Sequence, residues 1–167
     1  MTPANESAQL GARLRDAIAK DLVRLLDISE EEALVRHGGG SGWNRKHELG
    51  HLIDSATNNR IRFIVAALEA KYSGPTYDGA GWVEIGGYAG LSWLELVDLW
   101  ERMNQALATA IDRIPVQRLA SMCKIGSNPE VSLRFLIEDY ILHMQHHLDH
   151  IIGREKLTVY PGAAAGV

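Results

Sequence analysis

The residues of this chain best suited to chemistry lie near its C-terminal end. Four of its seven histidines, His143, His146, His147 and His150, fall within eight residues. The pairs His143/His147 and His146/His150 have i, i+4 spacing, which on a helix sets one imidazole above the other on one face. Such a pair can present two nitrogen ligands to a transition metal, as in the helix of zinc proteases. The plain alternative is a set of surface or core histidines that hold no metal. A helical projection at about 100° per residue separates the four. His143 and His147 lie nearest the arc of Leu133, Ile137, Met144, Leu148 and Ile151 and so read as a buried pair, with His146 and His150 at the rim. Asp139, one turn before His143, is placed to orient an imidazole through its second nitrogen.

A third ligand, a scaffold and a pocket must come from elsewhere. Leu10, Leu14, Ile18, Leu22 and Leu25 recur every three to four residues and predict a first helix from about Asn5 to Leu26. Ser29 with Glu32 is a capping box that opens a short turn, Glu30 to about Arg36. The glycine-rich run Gly38, Gly39, Gly40, Ser41, Gly42 reads as a flexible connector, because it lacks the Gly-Lys-Ser/Thr of a phosphate loop. Asn44 can cap a second long helix, about Arg45 to Lys71, stopped by Gly74 and Pro75. His51, Asp54, Ser55 and Arg62 give this helix a polar stripe, which reads either as a solvated face or as the wall of a polar pocket. From Ser73 to Gly90 no regular structure is predicted. That length suits a functional lid or binding loop carrying Tyr77 and Trp82, or a wrap whose Trp82 plugs the core. Ser92 and Glu95 form a second capping box, opening a third helix that runs to about Ile114 and closes at Pro115. Residues 116–127 suit a short extended pair or a crossover. Asn128, Pro129 and Glu130 read as the start of the fourth helix, which ends near Ile152 with Gly153 as its cap.

Four long helices predict an all-α four-helix bundle over residues 1–155, followed by an extended tail over 156–167. The long second connection allows a topology other than simple up-and-down. The 167 residues, 46% hydrophobic and 23% charged, are those of an ordinary globular domain. A net charge of -4 with no basic patch argues against nucleic acid as a partner. The single cysteine, Cys123, excludes an intrachain disulfide and fits a reducing, cytoplasmic setting. It lies in a connection, a poor position for a nucleophile. The N-terminal residues show no signal peptide, and no apolar run is long enough to span a membrane.

Three segments together resemble the DinB/YfiT-like family of metal-binding four-helix bundles: Trp43 to Phe63, including Gly50, His51, Leu52, Ile53, Asp54 and Ser55; Tyr77 to Val83; and His143 to Ile151. The resemblance covers about residues 40–152 and is nearest the YfiT-type branch, described as metal-dependent hydrolases and related to bacillithiol S-transferases. It implies a divalent metal, zinc or nickel with iron also possible, held by one histidine of the second helix and two of the fourth. By motif position these are His51, His143 and His147. Three neutral histidines leave positions open for water or a thiolate.

The activity so implied is hydrolysis of a small-molecule substrate or transfer of a low-molecular-weight thiol co-substrate. Asp54, Asp139 and His146 are then candidates to move protons or to hold the ligands in place. Arg62 could receive an anionic substrate, and Tyr77 and Trp82 could line the mouth. A homodimer is expected from the same resemblance. The alternative is a non-catalytic metal-binding bundle associated with stress. A structural zinc usually fills four protein positions, often with cysteine, so an all-histidine trio favours the enzyme.

Overall fold

The computed structural model of the protein describes residues 5–36 and 42–161. The N-terminal residues read for a signal peptide, most of the glycine connector and the last six residues of the tail lie outside these. Four long helices form the frame: α1 (Glu6–Leu26), α3 (Arg45–Glu69), α5 (Trp93–Asp112) and α6 (Leu133–Ile152). Shorter elements join them: α2 (Glu30–Leu34), β1 (Lys71–Gly74), α4 (Gly79–Gly86), β2 (Met122–Ile125) and β3 (Val131–Ser132). The protein is thus a mainly helical four-helix bundle, with a small sheet at one end. In that sheet β1 pairs parallel with β2, and β2 pairs antiparallel with β3.

The starts of the helices follow their capping chemistry. Asn5 and Asn44 accept from the backbone N–H groups of Ser7 and His47, which supplies acceptors for donors that a helix start leaves unpaired. Both capping boxes form in full, Ser29 with Glu32 and Ser92 with Glu95. Three boundaries differ from expectation. Helix α3 ends at Glu69, because Ala70 turns left-handed (φ 61°) and Lys71 enters the sheet; Gly74 and Pro75 come too late to stop it. Helix α6 starts at Leu133, where Ser132 accepts from the N–H of Phe135. Asn128, Pro129 and Glu130 lie before β3 instead, and Val131 pairs with Cys123. The stretch from Ser73 to Gly90, for which no regular structure is predicted, holds α4, capped by Asp78 and closed by Gly87 at φ 68°. Cys123 sits buried in β2 rather than in a bare connection, and burial raises its thiol to about 11, which keeps it protonated.

The packing of the long helices sets the topology. Helix α1 packs on α5, α5 on α3, α3 on α6 and α6 back on α1. Helices α1 and α3 therefore stand on one diagonal of the bundle and α5 and α6 on the other. The first and third connections cross those diagonals. The second joins neighbours, so it is not the long second connection that departs from up-and-down order. Leu14, Ile18, Trp93, Trp100, Leu107, Ile111, Leu133, Ile137 and Leu148 fill the centre at 1% exposure or less. Full burial of each large apolar side chain contributes roughly 1.5–3 kcal/mol. Trp93 also donates through Nε1 to the Leu25 carbonyl at 2.7 Å, which fixes the α1–α5 contact.

The α1–α5 seam depends on one small residue. A Cβ on Gly11 would stand 2.0 Å from Asp112 Oδ1 and 2.9 Å from the Ala108 carbonyl. Asp112 is itself held by Arg15 at 2.5 Å. A Gly11→Ala substitution should cost about 1–3 kcal/mol through overpacking, despite the better helix propensity of alanine. Thermal unfolding should show a melting temperature lower by several degrees; an unchanged or raised value would show that the seam is looser than described.

Candidate metal centre

Helices α3 and α6 run past each other so that two polar stripes meet. On α3 the stripe is Glu48, His51, Ser55, Asn59 and Arg62, spaced by three or four residues and thus on one face. On α6 it is Asp139, His143, His147 and His150. Glu48 meets His147 and His150, while His51 meets His143 and His147. Further along, Ser55, Asn59 and Arg62 line a cavity with Asp139, Tyr140 and His143. The α3 stripe is not a solvated face. Glu48, Ser55, Asn59 and Arg62 are all buried.

His51, His143 and His147 each offer a ligand atom, and these atoms lie within 4.8 Å of one another. Nε2 of His51 and Nε2 of His143 are 3.3 Å apart. Two nitrogens bound to one tetrahedral zinc at about 2.0–2.1 Å stand about 3.3–3.4 Å apart, so this pair already has the span of a shared ion. The rings meet edge to face, with centroid distances of 5.3 Å for His51–His143, 4.8 Å for His51–His147 and 4.6 Å for His143–His147. Burial, and then the charge of His147, lower the pKa of His51 to about 4. Burial first, followed by the neighbouring histidines, holds His143 well below its ordinary range. Both are therefore neutral at pH 7, the form that can ligate a metal.

Glu48 is the group that sequence reasoning missed. Its side chain is 3% exposed, and one oxygen, Oε1, faces His147 Nδ1 at 2.8 Å and His150 Nδ1 at 3.0 Å. A carboxylate on Nδ1 leaves Nε2 of His147 free to ligate, which is the usual support for a metal-bound imidazole. It also gives His150 a partner away from the trio. The only signal in the sequence was its position three residues before His51.

The remaining sequence candidates fall into two groups. Asp139 lies buried at the cavity beside His143. Arg62 lines the same cavity and stands 5.9 Å from the centre of the Tyr77 ring. Trp82 packs on Tyr77, which lines the cavity, with ring centroids 5.3 Å apart; at 42% exposure it does not plug the core. Burial raises the Tyr77 phenol above its usual range. Two candidates are engaged elsewhere. Asp54 accepts a short hydrogen bond from the Tyr88 hydroxyl, and its other oxygen is buried without a partner. Gly50 makes that contact possible, since a Cβ there would fall 2.2 Å from the Tyr88 ring. His146 Nδ1 bonds the Thr158 carbonyl at 2.6 Å.

That last bond belongs to a fold-back of the chain after α6. Arg154 pairs with Asp21 and Asp149, and Asp149 accepts from both the backbone N–H and the hydroxyl of Thr158. Tyr160 is thereby set edge-on against His143 and His146, at 5.1 and 5.3 Å. The trio is thus enclosed by Tyr160 on one side and by Trp43, 5.4 Å from His51, on another.

The depressed histidines make metal-free protein sensitive to acid. The unfolded chain protonates a histidine near pH 6.5, whereas folded His51 does so only near about 4. Between those values the unfolded state binds more protons, so stability falls as pH drops and is flat above the window. Asp54, raised by burial, works in the opposite sense, but a single carboxyl opposes two histidines. Chelator-treated protein should therefore melt at lower temperature at pH 5 than at pH 7, and His51→Gln should shrink the difference. A melting temperature independent of pH across this range would contradict the desolvation of His51 and His143.

A family model described as the DinB superfamily matches residues 13–151. No curated protein matches the chain. Among solved structures, YfiT from Bacillus subtilis superposes with a TM-score of 0.78 at 18% identity, over 92% of this chain and 87% of that one. That protein is described as a probable metal-dependent hydrolase with an unusual four-helix bundle topology. At this identity the likeness carries the fold alone. Since the family model takes in α3 and α5 whole and most of α1 and α6, the chain belongs to the DinB superfamily.

Proposed function

We propose that this protein is a metal-dependent enzyme that acts on a small molecule, with a divalent ion, zinc or nickel, held by His51, His143 and His147. The observation that carries this reading is the convergence of three histidine nitrogens on the α3–α6 seam, two of them 3.3 Å apart. Among the described residues the group that gathers there holds three donors and no cysteine, the pattern of an open site rather than a sealed structural one. When bound, such an ion polarises a substrate oxygen and lowers the pKa of water or of a thiol.

The chain's own residues do the rest. Glu48 holds His147 by Nδ1 and fixes which nitrogen faces the site. Asp139, buried beside His143, is placed to take or return a proton at the cavity wall. Tyr160, Trp43 and the Tyr77–Trp82 pair limit the access of bulk water. Hydrolysis is the first reading, supported by the fold shared with YfiT and its description. Transfer of a low-molecular-weight thiol is the second, supported by the coordination positions that three histidine ligands leave open on the ion.

Protein purified without an affinity tag should carry about one ion per chain, and His51→Ala or His147→Ala should lose it. Glu48→Gln should keep the fold but weaken metal affinity by roughly 10- to 100-fold. Elemental analysis checks both, and unchanged metal content in the two alanine variants would refute the ligand assignment. A panel of amides and esters, run beside small thiols with a chlorinated aromatic acceptor, separates the two reactions. Activity in neither arm with the metal in place would favour a non-catalytic metal-binding bundle.

A further inference from the structure

Arg62 stands out among the buried groups. It is 3% exposed, and an arginine cannot shed its charge to escape burial. Yet its hydrogen bonds are weak: Nη1 donates to Asn59 Oδ1 and Nη2 to the Pro75 carbonyl, both at 3.5 Å. Among the described residues it forms no ion pair, although buried charges elsewhere in the chain do: Asp21 and Asp149 share Arg154, and Lys46 holds Glu30. Its remaining compensation is the ring of Tyr77. A buried guanidinium with so little pairing is costly. It lines the cavity that also contains His143, so the unspent donors sit beside the metal centre.

We infer that Arg62 anchors a carboxylate on the substrate or co-substrate, at the end of the cavity away from the three histidines. The inference rests on the proposed function for what lies at the other end. A guanidinium presents a planar fork that matches two carboxylate oxygens. Ser55 and Asn59 supply further polar groups on the same wall. Asp139 lines the cavity from α6, so a bound anion is directed to the α3 wall where Arg62 stands. The molecule is therefore bifunctional, with a carboxylate at Arg62 and a reacting carbonyl or thiol reaching towards the histidines, and its entry must widen a cavity that measures about 20 Å³ as it stands.

Two titrations test this. In chelator-treated protein, propionate should shift the nitrogen-15 resonance of the Arg62 side chain while propionamide leaves it in place. In cobalt-loaded protein, 3-mercaptopropionate should perturb the visible spectrum at roughly tenfold or more lower concentration than 2-mercaptoethanol. Arg62→Met should abolish that preference and keep or raise the melting temperature, since it removes a costly charge. If Arg62→Met does not fold, the charged and neutral probes compared on the natural protein, and on Arg62→Lys, still decide. Propionate and propionamide acting alike would overturn the inference and leave the metal reading intact. Cobalt failing to enter the histidine site would overturn the metal reading, while the propionate titration still decides for Arg62.

Discussion

The structure depends on the meeting of two polar stripes inside the bundle, one on α3 and one on α6. A buried imidazole is tolerable because it can give up its charge, and a buried carboxylate is tolerable where imidazoles share it. Burial keeps His51 and His143 neutral, and Glu48 engages His147 and His150 on the far side. The elements around the seam hold it closed. The α1–α5 pair supplies many of the large apolar side chains of the core, Trp93 and Trp100 among them, and Arg45 ties the start of α3 to the Ile151 carbonyl at the end of α6 at 2.7 Å. The segment after α6 folds back through Asp149 and Thr158, placing Tyr160 on the histidines.

This arrangement explains why the bundle takes diagonal crossings. The two stripes must be neighbours, yet α3 and α6 are separated in the chain by α5. In a sequential ring each helix would neighbour the next, and α3 would face α6 only across the diagonal. Crossing the first and third connections instead makes α3–α6 an edge of the bundle. The third connection runs through β2 and β3, which lead directly into the Ser132 cap of α6.

Much of this was legible in the sequence where local rules apply. The capping boxes at Ser29 and Ser92 set helix starts through their immediate neighbours, and they form as read. The helical projection placed His143 on the buried inner face, because the apolar residues of α6 define that face on their own, but His147, read as its buried partner, is only part-buried, as His146 and His150 are. What failed was anything decided across the chain. The stripe on α3 contains the residue types of a solvated face, and only α6 shows it to be buried. Glu48 looked like any helical glutamate until two imidazoles came to it from about a hundred residues away. Asn128 and Pro129 carry a good local start signal, but Val131 pairs with β2 and delays the helix. His51 entered the ligand set through family resemblance and not through spacing.

The central claim is that three imidazoles, and no other protein group, ligate one ion at the α3–α6 seam. X-ray absorption spectroscopy at the edge of the metal found in untagged protein tests it most directly. The account predicts three imidazole nitrogens at about 2.0–2.1 Å for zinc, with the remaining positions filled by light atoms that exchange for added thiol or azide. A fourth protein ligand sealing the ion, or a coordination shell with fewer than three imidazoles, would contradict it.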